Sequence, residues 1–168
     1  MGAAAEEGVR AATPEDLAAI VALSLALRAE LTPMRGGGLW AVREARSGPP
    51  EGVYGALLDD SASYVVVGTL DDVVVGFGVA TVEALADGRR LGVVEELFVD
   101  PEARAVGVGE SMVEALVGFC AERDCVGVDA LALPGHRAAK NFFEESGFTA
   151  RAIVMHHSLL DDPSRGVE

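Results

Sequence analysis

Three β-branched runs in the middle of the chain constrain its fold more than any other feature. They occupy residues 63–70, 73–85 and 91–100. Asp71-Asp72 separates the first two runs, and a turn containing Asp87-Gly88 separates the second from the third. Because strands joined by such short turns pair with their chain neighbours in opposite directions, the sequence predicts an antiparallel three-strand meander.

Helical and strand patterns precede this meander. A short strand is expected at residues 9–12, and Thr13, Pro14 and Asp16 then form a capping-box-like start for the first helix. Residues 31–60 give mixed signals, with short helical pieces expected between glycine and proline breaks.

Beyond the meander the apolar residues change to helical spacing and then alternate again. The predicted elements are a helix after Pro101, a strand over residues 126–133, a helix over residues 137–146 that Gly147 ends, and a last strand over residues 150–158. The order predicts one mixed α/β domain over residues 1–168, with its core at about residues 9–158.

Length and composition exclude several classes of protein. A chain of 168 residues with 50% hydrophobic content is too apolar to be disordered. Its apolar stretches are shorter than the roughly 18–20 residues of a membrane span, and its acidic start lacks the bases of a signal peptide. Two cysteines and three histidines without paired spacing predict neither a disulfide scaffold nor a metal site. A cytoplasmic protein is expected.

The charge of the chain is strongly negative. Thirteen basic and 27 acidic residues give a net charge of −14. A nucleic-acid partner is excluded, because binding a phosphate backbone needs a basic face. The negative field favours a cationic substrate such as an amine; the alternative is that the charge only keeps the protein soluble.

The segment from Glu95 to Gly109 carries the most informative chemical pattern. A strand ends at Asp100-Pro101, and a loop containing Gly107 and Gly109 then leads into a helix. The glycines remove side chains that would keep a ligand from the backbone, and the helix start offers unpaired N–H groups. A phosphate or pyrophosphate site is one interpretation of this loop, and a pair of turn glycines without a ligand is the other.

Three motifs in this order resemble the GCN5-related N-acetyltransferase (GNAT) superfamily. The sequence ELFVDP followed by Arg104-x-x-Gly107-x-Gly109 is similar to the family's acetyl-CoA signature, and the sequence NFFEESGF from Asn141 to Phe148 resembles its closing helix. The resemblance implies a mixed α+β fold with a central, largely antiparallel, splayed sheet and helices on both faces. It also implies acetyl-CoA as co-substrate, bound in the splay between the strands at residues 91–100 and 126–133, with no metal.

The resemblance further implies which residues contact acetyl-CoA. The backbone of the signature strand would run beside the pantetheine arm, while the loop and the first helical turn would hold the pyrophosphate. The residues concerned are Leu97, Phe98, Val99, Arg104, Ala105, Val106, Gly107, Val108, Gly109, Glu110 and Ser111, with His136, Asn141 and Phe143 farther along the chain. Arg104 is expected to orient the loop or to contact the phosphates.

Glu95 and Glu96 are the candidate bases. An amine acceptor arrives as an ammonium with a pKa of about 10, so a base must remove a proton before the amine attacks. Glu95 stands where many family members carry an acidic residue, and alternation along the strand predicts that Glu96 faces the opposite side of the sheet. Glu95 is therefore preferred over Glu96 as base or water-positioning residue, and one member of the pair is expected to be a solvated strand residue.

Two positions depart from the family's pattern. Phe143 stands where the family often has a tyrosine that protonates the leaving thiolate, so that proton must come from water or another side chain, or the thiolate leaves stabilised by a helix end. His136 stands where an asparagine often contacts the cofactor, and it retains a hydrogen-bond donor.

The resemblance implies an N-acetyltransferase that passes acetyl directly to a primary amine of a small molecule or peptide. Because family members often pair, a homodimer is also expected. One alternative is a non-catalytic acyl-CoA-binding or sensing module that lost the acid at Phe143. Another is a plain α/β domain whose glycine loop holds no phosphate.

Overall fold

A computed structural model describes residues 4–104 and 106–160. The strands are β1 (Glu7–Ala11), β2 (Ser63–Leu70), β3 (Val73–Ala84), β4 (Arg90–Val99) and β5 (Cys125–Ala130). The helices are α1 (Leu17–Leu31), α2 (Gly37–Arg43), α3 (Pro50–Asp59), α4 (Val108–Ala121) and α5 (Arg137–Glu145). Short 3-10 turns at Pro14–Asp16 and Pro101–Ala103 precede α1 and α4. None of the helices in these residues is long and apolar enough to cross a membrane.

The five strands form one sheet in the order β1-β2-β3-β4-β5. The first four pair antiparallel with their neighbours, and the parallel pair is β4 with β5. Between β2 and β3, Asp71 and Asp72 both adopt positive φ, 49° and 62°. Two such residues make the tight turn whose twist matches a hairpin. The predicted meander is confirmed.

The sheet splays between β4 and β5. Their ladder begins at Arg90 and Cys125 and ends where Val94 pairs with Ala130, although β4 continues to Val99. Over its last residues β4 therefore turns one backbone edge toward an open cleft rather than toward a neighbouring strand. The predicted splayed, largely antiparallel sheet is confirmed.

A bulge interrupts β4 on its other edge. The register against β3 passes from Val94 opposite Ala80 to Glu96 opposite Val79, so Glu95 is the extra residue. A bulge places two residues of one strand against one of its partner and breaks the alternation of faces at that point.

Helices cover both faces of the sheet. On one face α1, α2 and α3 enclose a core centred on Ile20, Phe77 and Phe98, and on the other α4 packs Met112 and Leu116 onto the sheet. Glycines in β2 and β3 let α4 lie close. At one of them, Gly78, a Cβ atom would meet the Leu116 side chain at 2.9 Å.

The predicted last strand over residues 150–158 is wrong. These residues have no strand pairing, and every one of them is exposed. Arg151 ties this segment to β5 through an ion pair with Asp129, in which Nε lies 2.7 Å from Oδ1. An apolar, β-branched run becomes a strand only where a neighbouring strand accepts its hydrogen bonds, and none is supplied among the described residues.

Candidate active site

The loop after β4 presents the start of α4 to the cleft side of the sheet. Gly107 is the N-cap with a left-handed φ of 88°, and a Cβ atom there would lie 2.5 Å from the Glu7 carboxylate. Hydrogen bonding within the helix begins where Ser111 N–H donates to the Gly107 carbonyl at 3.1 Å. The N–H groups of residues 108–110 therefore point out of the helix end, where an anion is stabilised.

The side chains of this loop divide into packed and exposed ones. Val108 is buried against the sheet, so its N–H rather than its side chain is available to a ligand. Val106 and Glu110 are exposed and Ser111 is half-buried. Ala105, predicted as a cofactor contact, lies outside the described residues.

Arg104 fixes the loop to two other elements. Its Nε donates to the Val99 carbonyl at 2.9 Å, and its two Nη groups donate to the Glu30 carboxylate of α1 at 3.0 and 2.6 Å. The guanidinium also lies over the Phe98 ring, 5.2 Å from its centroid. These contacts fit one of the two roles expected for Arg104, that of orienting the loop, and its contact with phosphates stays a prediction. The hydrogen bonds from Arg104 lower the pKa of Glu30.

Beside the cleft, β4 places its side chains on alternate faces after the bulge. Leu97 and Val99 are half-buried toward α4, whereas the Phe98 side chain is buried in the core beneath α1. Since the ladder with β5 has ended by this point, the backbone edge of residues 97–99 is the part of β4 that faces the cleft.

The far side of the cleft is formed by the start of α5. His136 is its N-cap, with Nε2 4.0 Å from Glu30, the carboxylate that also holds Arg104. Glu30 therefore approaches the loops that follow both splayed strands. It was missed in the sequence because it lies on α1 in an ordinary helical pattern, far along the chain from either loop.

Three phenylalanines associate α5 with the start of α4. The Phe143 ring packs edge-on against Phe142 and Phe148, with centroids 5.5 and 5.2 Å apart. Phe142 is the ring that approaches Gly109, where a Cβ atom would lie 3.2 Å from it. Asn141 is exposed on the same helix. Phe142, for which no contact with the glycine loop was predicted, is thus the phenylalanine that packs against Gly109.

Both carboxylates of β4 lie on the face covered by α1–α3. Arg46, in the loop after α2, contacts Glu95 through Nη2 and Glu96 through Nε, the latter at 2.8 Å. The prediction that Glu95 and Glu96 face opposite sides of the sheet is therefore wrong. The bulge at Glu95 is the reason, because it cancels the alternation on which that prediction depended.

The two carboxylates differ in environment. Glu96 is buried, with 8% of its side chain exposed, and accepts a hydrogen bond from the Tyr54 hydroxyl at 2.7 Å. Glu95 is 33% exposed and accepts from the Thr81 hydroxyl at 2.8 Å. Glu96 is thus the buried member of the pair, and Glu95 is the more exposed one.

Burial dominates the electrostatics of this cluster. It raises the pKa of Glu96, an effect that the Tyr54 hydrogen bond and the Arg46 charge oppose. Burial and the neighbouring Glu96 carboxylate also raise the pKa of the Tyr54 phenol. Tyr54 therefore stays protonated at neutral pH, with its proton committed to Glu96.

Comparisons with known proteins agree with this geometry. A model of the acetyltransferase (GNAT) family matches residues 31–148. No curated protein matches the chain. Solved structures under 25% identical share its fold, and three of them illustrate the match. The tetramutant of BH1408 protein from Bacillus halodurans has a TM-score of 0.75 at 20% identity, covering 90% of this chain and 99% of that one.

The other two structures cover similar shares. AAC(6')-Iy in complex with the bisubstrate analog CoA-S-monomethyl-acetylneamine has a TM-score of 0.71 at 17% identity, over 93% of this chain and 99% of that one. Glucosamine-6-phosphate N-acetyltransferase from Arabidopsis thaliana has a TM-score of 0.68 at 16% identity, over 92% and 99%. With the family model covering more than half of its length and the splayed sheet in place, the chain belongs to the acetyltransferase (GNAT) family.

Proposed function

We propose that the protein transfers acetyl from acetyl-CoA directly to a primary amine. The observation that carries this proposal is the arrangement along β4. A carboxylate pair lies at its bulge, a backbone edge that is not paired with β5 follows, and the strand then leads into a helix start whose first N–H groups have no partner within the helix. One strand thus offers, in order, a base, a binding edge and an anion site.

Acetyl-CoA would lie in the splay between β4 and β5. Its pyrophosphate fits the N–H groups of residues 108–110, and its pantetheine amides fit the backbone edge of residues 97–99. Arg104, in the loop after β4, and His136, at the start of α5, would fix the two sides of this cleft through their shared contact with Glu30.

In the transfer step Glu95 removes a proton from the acceptor ammonium. The amine nitrogen then attacks the thioester carbonyl carbon, a C–N bond forms, and the C–S bond breaks as the tetrahedral intermediate collapses. The second proton lost by the nitrogen passes through water to the thiolate. Water is assigned this role because Phe143 carries no transferable proton and the Tyr54 hydroxyl is bound to Glu96.

The acceptor class that the charge distribution favours is a cationic amine. The net charge of −14 attracts cations, and Glu95 is an exposed carboxylate at the acceptor side of the cleft. Neamine, whose acetylated form is part of the ligand bound to one structural relative, is such an amine. Glucosamine 6-phosphate, the substrate named for another relative, carries an opposing anionic group.

The experiment that tests this function measures thiol release from acetyl-CoA with neamine and with glucosamine 6-phosphate. We expect turnover with neamine to exceed that with glucosamine 6-phosphate. Glu95→Gln should reduce kcat by roughly 10²–10⁴-fold, the usual contribution of a general base, and should leave the Kd of acetyl-CoA unchanged. The matched control is Glu122→Gln, which changes an exposed carboxylate at the C-terminal end of α4. Full turnover by Glu95→Gln would remove Glu95 from the mechanism.

A non-catalytic acyl-CoA-binding module is the second candidate. Phe143, at the position where a proton donor is expected, favours it. Tight acetyl-CoA binding without thiol release in the presence of any amine tested would support this second function over the first.

A further inference from the structure

Arg46 lies between two adjacent carboxylates. Its Nη2 donates to Glu95, and its Nε lies 2.8 Å from Glu96 Oε1. The Nε–H is buried and has no aligned hydrogen-bond acceptor among the described residues. Its contact with Glu96 is therefore an ion pair rather than a well-directed hydrogen bond. One guanidinium thus balances two neighbouring negative charges.

Arg28 of α1 fixes the backbone at Arg46 through hydrogen bonds. Arg28 donates from Nη2 to the Arg46 carbonyl at 2.8 Å and from Nη1 to the Ala41 carbonyl at 2.8 Å. The Arg46 side chain is 22% exposed. Since a guanidinium stays protonated throughout the pH range of folded proteins, Arg46 is a fixed cation at a fixed place.

Building on the proposed function, we infer that Arg46 is a positioning residue for the transfer reaction. It directs Glu95 toward the acceptor and keeps the carboxylate pair free of protons at neutral pH. The pair is then ready to take the proton that the acceptor ammonium must lose.

The physical reason is the repulsion between neighbouring carboxylates. Without a cation between them, two such groups share one proton, and burial of one member strengthens that tendency. Burial already raises the pKa of Glu96, and Arg46 opposes this shift. A pair that holds a proton before the acceptor arrives is a poorer base.

The elements packed around this pair carry other charged or titratable groups. The Tyr54 phenol of α3 contacts Glu96 directly. The Arg28 guanidinium of α1 contacts the Arg46 backbone, and Glu83 of β3 and Asp129 of β5, with its partner Arg151, lie on the neighbouring strands. The Thr81 hydroxyl of β3 donates to Glu95. Arg28 donates to backbone carbonyls, and Arg151 pairs with Asp129. In the described part of the chain, Arg46 is therefore the cation in direct contact with the Glu95 and Glu96 carboxylates.

A titration that needs no acceptor tests this inference. We would follow the carboxyl carbons of Glu95 and Glu96 by NMR in protein labelled with ¹³C-glutamate, assigned with Glu95→Gln and Glu96→Gln. In Arg46→Gln the first protonation of the pair should move to higher pH by roughly 1–3 units, the usual effect of a contacting opposite charge. Arg46→Lys, which keeps the charge, should recover part of this shift.

The matched control is Arg43→Gln, which removes an exposed arginine that pairs with Glu44 at 3.2 Å. It should leave the titration unchanged. If Arg46→Gln fails to fold, the single variant Glu96→Gln is compared with the double variant Glu96→Gln/Arg46→Gln. In both of these proteins a neutral amide replaces the buried Glu96 carboxylate, so removing Arg46 no longer leaves a buried charge without a partner. Loss of Arg46 must still raise the pH at which the remaining carboxyl protonates. An unchanged titration in either comparison would overturn the inference.

Activity gives a second readout. The acid limb of the kcat/KM profile for neamine acetylation should move to higher pH in Arg46→Gln by about the same amount, with the KM for acetyl-CoA unchanged. A purely structural role would lower kcat/KM equally at every pH and would contradict the inference. Acetyl-CoA binding by the wild type without thiol release in the presence of any amine tested would instead contradict the proposed function, while the NMR titration would still decide the role of Arg46.

Discussion

At the scale of single residues, the Tyr54 hydroxyl donates a hydrogen bond to the buried Glu96 carboxylate. The hydroxyl lies 2.7 Å from Oε2, and the Tyr54 ring packs edge-on against Phe77 at 5.8 Å. The ring and the carboxylate are thus fixed within the core beneath α1–α3. Because a buried charge without a donor is costly, this hydroxyl stabilises the fold as well as the site.

Tyr54→Phe should lower the free energy of unfolding by about 1–3 kcal/mol at pH 7. The pKa of Glu96 is raised in the folded protein, so its ionised form opposes folding as the pH rises from the unfolded value toward the folded one. Loss of the hydroxyl raises that pKa further. The difference in free energy of unfolding between the wild type and Tyr54→Phe should therefore be largest at neutral pH. It should shrink below about pH 4, where Glu96 is protonated in both the folded and the unfolded protein.

Urea denaturation at a series of pH values measures this effect. Tyr64→Phe is the control, because the Tyr64 ring stacks on Phe119 at 4.9 Å and lies on the opposite face of the sheet. A deficit for Tyr54→Phe that does not change between pH 7 and pH 4 would show that Glu96 titration is not involved.

At the scale of elements, the start of α1 is fixed by one buried carboxylate. Asp16 accepts from the Thr13 N–H at 2.8 Å and from both Nη groups of Arg10 at 2.7 and 2.8 Å. These bonds join the end of β1 to the first turn before α1. The Arg10 hydrogen bonds lower the pKa of Asp16 from 3.8 to about 2.

Asp16→Asn should reduce the free energy of unfolding by about 2 kcal/mol at pH 7, which is the lowered pKa expressed as free energy. Because the folded pKa lies below the unfolded one, this stabilisation is complete above about pH 4 and is lost as the pH falls toward 2. Urea denaturation of Asp16→Asn beside Glu15→Gln, an exposed neighbour, measures it. Equal stabilities of the wild type and Asp16→Asn at pH 7 would contradict this assignment.

Elements set by local chemistry were predictable from the sequence. The Asp71-Asp72 turn, the capping pattern at Thr13 and the glycine loop before α4 all form as expected, because each depends on neighbouring residues. The absence of a strand at residues 150–158 was not predictable, because a strand needs a pairing partner and the local sequence does not show whether one is present. The residues missed at the site, Glu30 and Arg46, act over long separations along the chain.

The bulge at Glu95 explains why the carboxylates were assigned to opposite faces. Alternation is a reliable rule only in a regular strand, and no residue near Glu95 marks the insertion. The acidic pair was therefore visible in the sequence, whereas its shared face and its shared arginine were not.

At the scale of the whole molecule, charge and topology act together. The splay of β4 from β5 opens a cleft, and α4 begins beside it with unpaired N–H groups. In a protein with a net charge of −14, a polyanionic cofactor binds only where local donors overcome the overall field. In the proposed function, acetyl-CoA binding therefore depends on the start of α4 more than on any side chain.

The most direct measurement is a calorimetric titration of the protein with acetyl-CoA, repeated with Gly109→Glu and Gly118→Glu. Gly109 lies in the first turn of α4, whereas Gly118 lies in the same helix with open space around it. Thermal melting would confirm that all three proteins are folded. We expect the wild type and Gly118→Glu to bind alike, and Gly109→Glu to bind at least about tenfold more weakly, a loss of about 1.4 kcal/mol. A folded wild type that binds no acetyl-CoA, or equal binding by all three proteins, would contradict the account.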